Sequence, residues 1–496
     1  MLGVRAVLGH ARAVTTQLLR VGCLIGAVVV LTAAGPGVGV SGAERPVVDA
    51  SLLPEPAPPV PPDPTEQRNA CVPVTSVVDG PAVPDAQRAL DFGAVWPITR
   101  GAGQLVAVID TGVTPHPRLP GLRPGGDYVH TDDGLSDCDA HGTLVAGLIA
   151  AQTVPGSGFA GGAPDAQIIS IRQSSNAFQK ERTPEEEEQS PVENAAGYGN
   201  VMTMARAVRT AADLGATVIN ISEVACVPAS GGIADGPLGA AIDYAARIKN
   251  VVIVAAAGNI GGGGEGQCSA QNPLPDPTDP YADQWNRTAT IATPAWFDDQ
   301  VLTVGSVDPD GYPSGFTLAG PWVDVAAPGT GMTSLSPSGN GLTDGTVDNQ
   351  GNARPIQGTS FAAPLVAAVA ALVRAHRPDL SAAQVIERIE ATAHQPAEGW
   401  NPLVGNGVVD PVAAVTGQVD GMPAISAAAP VPVPAPVVPV PPDPRPRSAA
   451  LWGTAAVGVL LALGLGVAVP LRAQRRPVNS TATQRHSVAD RRRRGP

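Results

Sequence analysis

The sequence predicts an α/β domain in which a parallel β-sheet is flanked by helices. Three observations carry that prediction. Continuous aliphatic runs recur through the middle of the chain, as strands buried on both faces require. Helical patterns separate them, so strand and helix alternate. One run, Leu105-Val106-Ala107-Val108-Ile109-Asp110-Thr111-Gly112-Val113, carries a carboxylate to the C-terminal strand edge, where open α/β sheets place their sites.

At 496 residues the chain exceeds one ordinary core, which predicts a large domain with appendages. Arg5, Arg12 and Arg20 precede the apolar stretch from Cys23 to Leu31, and small residues follow to Ser41-Gly42-Ala43. Residues 1–43 therefore read as a secretory signal peptide. Residues 44–92 are proline-rich with little periodicity, too short for a separately folded domain, and read as an extension wrapping the main domain. The main domain is expected over 93–415 and a proline-rich linker over 416–448. Residues 449–469 carry no charge and are long enough to span a bilayer; 470–496 form a basic tail. Positive residues mark the cytoplasmic side. The expected topology is thus a single C-terminal transmembrane helix in the cell membrane, with the main domain outside.

The formal charge of −13 hides an asymmetry. The two ends hold eleven of the 31 basic residues and one of the 44 acids, leaving 20 bases against 43 acids between them. An acidic body argues against nucleic acid as a partner. Beyond the signal segment four cysteines remain, Cys71, Cys138, Cys226 and Cys268, with no Cys-x-x-Cys spacing. In an exported chain they predict two disulfides rather than zinc. Three pairings are possible. Cys71–Cys138, tying the extension near His141, and Cys226–Cys268, bracketing the strand at Val251, are favoured.

Within the main domain, Gln167–Arg172 reads as a strand and Val201–Leu214 as a helix stopped by Gly215. Ala216–Ser222 is the next strand, Pro237–Ile248 a helix, and Val251 onward a further strand running into Gly258-Asn259. Val301–Val307 and Trp322–Gly329 are later strands. Ser381-Ala382-Ala383-Gln384 is a capping box that opens a helix through Ala391. Residues 173–199, with four successive glutamates at 185–188, predict an acidic surface loop. Residues 260–288 contain acids but no ligand set spaced for calcium, so no metal or cofactor is expected.

Chemistry gathers at three points. Gly358-Thr359-Ser360-Phe361-Ala362-Ala363-Pro364 opens an apolar run through Val373, which predicts a serine at the head of a core-crossing helix. Pro364 is tolerable there if it falls in the first turn, whose amides lack intrahelical partners. Taken alone, Ser360 could simply cap that helix. His141, however, starts a second apolar helix, His141–Ala150, and Asp110 ends its strand. Acyl transfer needs a hydroxyl, an imidazole to take its proton and a carboxylate to orient the imidazole. Asp110, His141 and Ser360 supply them in the chain order of subtilisin.

Asp-Thr-Gly, His-Gly-Thr and Gly-Thr-Ser-Phe-Ala-Ala-Pro together resemble the three signature blocks of the subtilisin-like serine proteases, over roughly Gly93 to Val415. The resemblance implies a subtilisin-like sheet and serine endopeptidase activity. It also implies that the side chain of Asn259 and the Ser360 amide bind the oxyanion. Ser222-Glu223-Val224 stands where the family has Ser-Leu-Gly beside the cleft, and Ala256-Ala257-Gly258 matches the other wall of the substrate pocket. Valine in place of glycine would narrow that pocket and favour small apolar residues before the scissile bond. Extension, cysteines, peptidase, proline linker and one C-terminal helix together resemble the mycosins, membrane-anchored proteases of actinobacterial type VII secretion systems. That resemblance implies protein substrates and a place in the secretion membrane complex. The alternative is a mainly structural role there, with proteolysis secondary.

Overall fold

The computed structural model describes residues 42–182, 197–261, 268–276, 278–279 and 282–419. The expected linker beyond 419, the membrane helix at 449–469, the basic tail and nearly all of the signal segment lie outside the described residues, as do the glutamates at 185–188. Ala43, assigned above to the signal segment, is buried, and its N–H donates to the Trp285 carbonyl at 3.0 Å.

Seven strands form one sheet: β1 (Leu105–Asp110), β2 (Leu122–Asp127), β3 (Gln167–Arg172), β4 (Val218–Ile221), β5 (Val252–Ala256), β6 (Val301–Val307) and β7 (Val325–Pro328). Their spatial order is β7-β6-β5-β4-β1-β3-β2, and every pairing is parallel. From β1 the chain crosses to the edge strand β2, returns to β3 beside β1, then passes to β4 on the other side of β1 and moves outward through β5, β6 and β7. The order therefore reverses between β1 and β4, and a crevice opens beyond the strand ends at such a reversal.

Strand alternation divides the interior into two cores. Val106, Val108, Val218, Val252 and Val254 face α1 (His141–Ala150) and α4 (Thr359–His376). Ala107, Ile109, Ile219, Ile221 and Ile253 face α2 (Val201–Asp213) and α3 (Gly236–Asp243). This is the physical reason the strands lack polar alternation: neither face meets water.

α4 is the central helix. It runs 18 residues, and every side chain from Thr359 to Val373 is buried. Among the described residues it is the helix long and apolar enough to cross a membrane, yet its apolar surface is spent on the core. Each fully buried Leu or Val contributes about 1.5–3 kcal/mol, so this helix anchors whatever its first turn carries. Its boundary corrects one expectation. The helix starts at Thr359, which places Pro364 beyond the first turn and removes the hydrogen bond that the Ser360 carbonyl would accept.

α5 (Ala382–Ala391) opens with the expected box: Ser381 Oγ accepts the Gln384 N–H at 3.3 Å, and Gln384 Oε1 accepts the Ser381 N–H at 2.9 Å. The extension packs on the domain by short pairings. Thr65–Gln67 runs antiparallel to Phe178–Lys180, and Val74 and Val77 bridge to Thr346 and Leu342. Disulfides join Cys71 to Cys138 and Cys226 to Cys268. Strand β2 has no forecast counterpart, because Pro124, Gly125 and Gly126 break its apolar pattern and its register shifts there.

Candidate active site

Three element ends meet at the β1/β4 reversal. Asp110 closes β1 and is fully buried; His141 opens α1; Ser360 is the second residue of α4. Register fixes their level. Ile109 pairs with Ile221, and Ile221 with Ala255, so Asp110, Ser222 and Ala256 follow at one height.

Asp110 Oδ1 lies 2.7 Å from His141 Nδ1 and also accepts the Thr111 N–H at 2.8 Å. Nδ1–H donating to a carboxylate leaves Nε2 as the proton-accepting nitrogen. The imidazole packs on the Phe361 ring, centroids 5.0 Å apart, one residue beyond Ser360.

A second carboxylate holds this pair from behind. Asp137 Oδ1 accepts the Thr111 hydroxyl at 2.8 Å, and Oδ2 accepts both the Thr143 N–H at 2.8 Å and its hydroxyl at 2.6 Å. Thr111 Oγ1 in turn accepts the Gly142 N–H at 2.9 Å. The first-turn amides of α1 are thus satisfied from Asp137 and Thr111, because the residue before the helix, Ala140, offers no cap and sits at φ 68°. Asp139 accepts the Ser175 hydroxyl and the Asn176 N–H, the latter at 2.8 Å. Between these two acids, Cys138 is bonded to Cys71, and its carbonyl accepts the Val72 N–H at 2.8 Å. Sequence reading missed Asp137; its spacing before His141 was visible, but nothing in it distinguishes a network acid from a surface one.

On the opposite side, Asn259 Oδ1 accepts the N–H and hydroxyl of Thr359 at 2.9 and 3.1 Å. That turns the amide nitrogen toward Gly358. Gly358 has φ 150°, and a Cβ built there would lie 3.0 Å from Ser360 Oγ and 3.5 Å from Asn259 Nδ2. Glycine keeps the space between hydroxyl and amide open. A cleft of about 370 Å³ collects Val72, His141, Glu223, Asn259, Ser360 and Phe361, with Ser222 and Val224 also lining it. Ala256, the last residue of β5, and Ala257 after it do not line it with their side chains, which lie in opposite cores. Gly258 lies behind, donating its N–H to Thr359 Oγ1 at 3.2 Å. Of the expected pocket walls, the structure brings only Ser222, Glu223 and Val224 to the cleft, because the alternation of a doubly packed strand spends Ala256 and Ala257 on the interior.

Burial pulls the His141 pKa down, but the charge and hydrogen bond of Asp110, with Glu223 and Asp137 adding, carry it up to about 9. Burial, then repulsion from Asp110, pushes Glu223 up to about 7 against the attraction of His141. Burial also raises Asp137 to about 7, opposed by the Thr143 and Thr111 hydrogen bonds. Asp110, His141 and Glu223 have donor atoms within 4.8 Å of one another. Of the two ring nitrogens, Nδ1 is the one engaged by Asp110.

Residues 101–407 match the model of the subtilase family. The chain is 54% identical over 394 residues to Mycosin-4 of Mycobacterium tuberculosis, covering 78% of this chain and 81% of that protein. It is similar to the structure of the MycP3 protease from the type VII (ESX-3) secretion system, at 46% identity and TM-score 0.68, covering 76% of this chain and all of that one. A chain in the intact ESX-5 inner membrane complex matches at 45% identity and TM-score 0.69, covering 86% and 100%.

Proposed function

The chain belongs to the subtilase family, and within it to the mycosins, as a subtilisin-like serine peptidase; on that premise we propose that Asp110, His141 and Ser360 are its catalytic triad and Asn259 its oxyanion donor. The observation that carries this is the 2.7 Å Asp110–His141 bond, set in a cleft that also holds Ser360 and Asn259. His141 Nε2 takes the Ser360 proton as Oγ attacks a peptide carbonyl, while Asp110 holds the ring and stabilises the imidazolium. Asn259 Nδ2 and the Ser360 amide hold the developing oxyanion, at the positive end of α4. The imidazolium then protonates the leaving amine, and water, activated by the same nitrogen, frees the acyl-enzyme.

Its substrates are proteins exported by a type VII secretion system, and it sits in the cell membrane on a helix over 449–469 with the peptidase outside. Val224 at the cleft supports small apolar residues before the scissile bond. Similarity to a chain of the ESX-5 inner membrane complex supports a second, structural role in such a complex. Replacing Ser360 by Ala in the native host tests both. Loss of processing with secretion intact supports catalysis separable from assembly. Unchanged processing overturns the triad, and a full deletion no worse than Ser360→Ala overturns the structural role.

A further inference from the structure

The cleft carries more negative charge than the triad requires. Asp110 lies buried behind it, Asp139 and Glu223 line it, and among the described residues no Lys or Arg does. The charged groups around the imidazole come from three elements: Asp110 from β1, Asp137 and Asp139 from the loop before α1, and Glu223 from the end of β4. Arg172, in register beside Asp110 on β3, is engaged by Asp127 at 2.8 Å from Nε. Glu223 Oε1 stands 3.9 Å from His141 Nδ1, the same nitrogen that Asp110 holds at 2.7 Å. The two carboxylates differ in access: the Asp110 side chain is 0% exposed and that of Glu223 32%. One is a fixed buried partner and the other a solvent-facing one.

We propose that Glu223 is a second carboxylate partner of the His141 imidazole, a positioning residue that acts through His141 and governs when Ser360 is activated. The inference rests on the triad reading above. Only a neutral imidazole can accept the serine proton, whereas a carboxylate at this range favours the cation. Asp110 is needed in both states, to fix the tautomer and then to stabilise the imidazolium formed in the reaction. Glu223 adds stabilisation to the resting cation as well, so it withholds the base until the solution is alkaline enough to remove that proton. The sign follows: above about pH 7, where Glu223 is ionised, Ser360 reactivity is held low and rises through the alkaline range toward the His141 value of about 9.

The test uses the full chain and a phosphonofluoridate probe, whose rate of bonding to Ser360 is followed against pH without knowledge of the natural substrate. Glu223→Gln removes the charge and keeps the shape. Its midpoint should move down by about one to two pH units, with labelling at neutral pH faster by roughly tenfold or more. Glu223→Ser, which cannot re-form a long side-chain contact, should move the same way. Asp139→Asn should move the midpoint less. An unmoved midpoint in both Glu223 variants overturns the proposal, and so does a loss of rate equal at every pH. NMR titration of the His141 ring reads the same shift without any chemistry. If the unaltered chain is never labelled, the triad reading fails, and the ring titration alone then decides for or against Glu223.

Discussion

The two helices that open at the cleft, α4 and α1, are positioned by different means. α4 is held by oil: Thr359 to Val373 are buried without interruption, while Asn259, Gly258 and Gly358 trim its first turn. α1 has a buried body too, but its head is held by polar and covalent ties. Asp137 and Thr111 satisfy its amides, Ala140 takes a left-handed backbone, and Cys71–Cys138 clamps the preceding loop. On the proposed triad, the difference follows what each side chain must do. A nucleophile needs one fixed point, which a packed helix supplies; a base must swap a proton while its partners stay in place, which calls for hydrogen bonds on both sides of it.

Four variants break or sharpen that contrast. Ser360→Ala should lower the turnover number by about 10⁶-fold, with little change in unfolding midpoint, measured on a peptide substrate and by thermal melt. Leu372→Ala, deep in the apolar body of α4, should cost about 2–5 kcal/mol of stability while leaving the pH midpoint of Ser360 labelling in place. Chemical denaturation together with the labelling profile checks both parts, and a moved midpoint would mean that the two heads are coupled. Removing the Cys71–Cys138 bridge by alanine at both positions should cost about 2–4 kcal/mol. Here activity at temperatures below the transition should fall as well, because the clamp lies beside the histidine. Retained activity would show that Asp137 alone suffices. The smallest effect is expected from Thr143→Val. It strips a hydroxyl that donates to Asp137 and accepts the Thr114 N–H at 3.0 Å, for a cost of about 1–3 kcal/mol. Hydrogen exchange should report it at the start of α1 and not at α4.

Legibility tracked the kind of force involved. The strands of the sheet centre and the buried helices stood out because a run such as Val252–Ala256 between two cores has no polar residue to confuse it. The capping box at Ser381 was equally plain, being a local pattern of four residues. Edge strand β2 was hidden by its own proline and glycines, and Trp322–Gly329 shrank to Val325–Pro328, since Trp322 packs against Trp285 instead of pairing. In the site, Asp110, His141 and Ser360 each ended or began a recognisable element. The side chains of Ala256 and Ala257, expected at the pocket wall, lie in the two cores, and a doubly packed strand end gives no sign of which side chains reach the cleft.

By itself, then, the sequence determined which chemistry the chain carries: an acid, an imidazole, a hydroxyl and an amide, each tied to a strand end or helix start by local pattern. Only the folded structure decided their surroundings. Asp137 behind the histidine, Glu223 beside it and the bare backbone at Gly358 against Asn259 are contacts between residues 6, 82 and 99 positions apart, set by register and helix placement. No short-range pattern encodes a distance across a sheet, because that distance exists only once β1, β4 and α4 have packed.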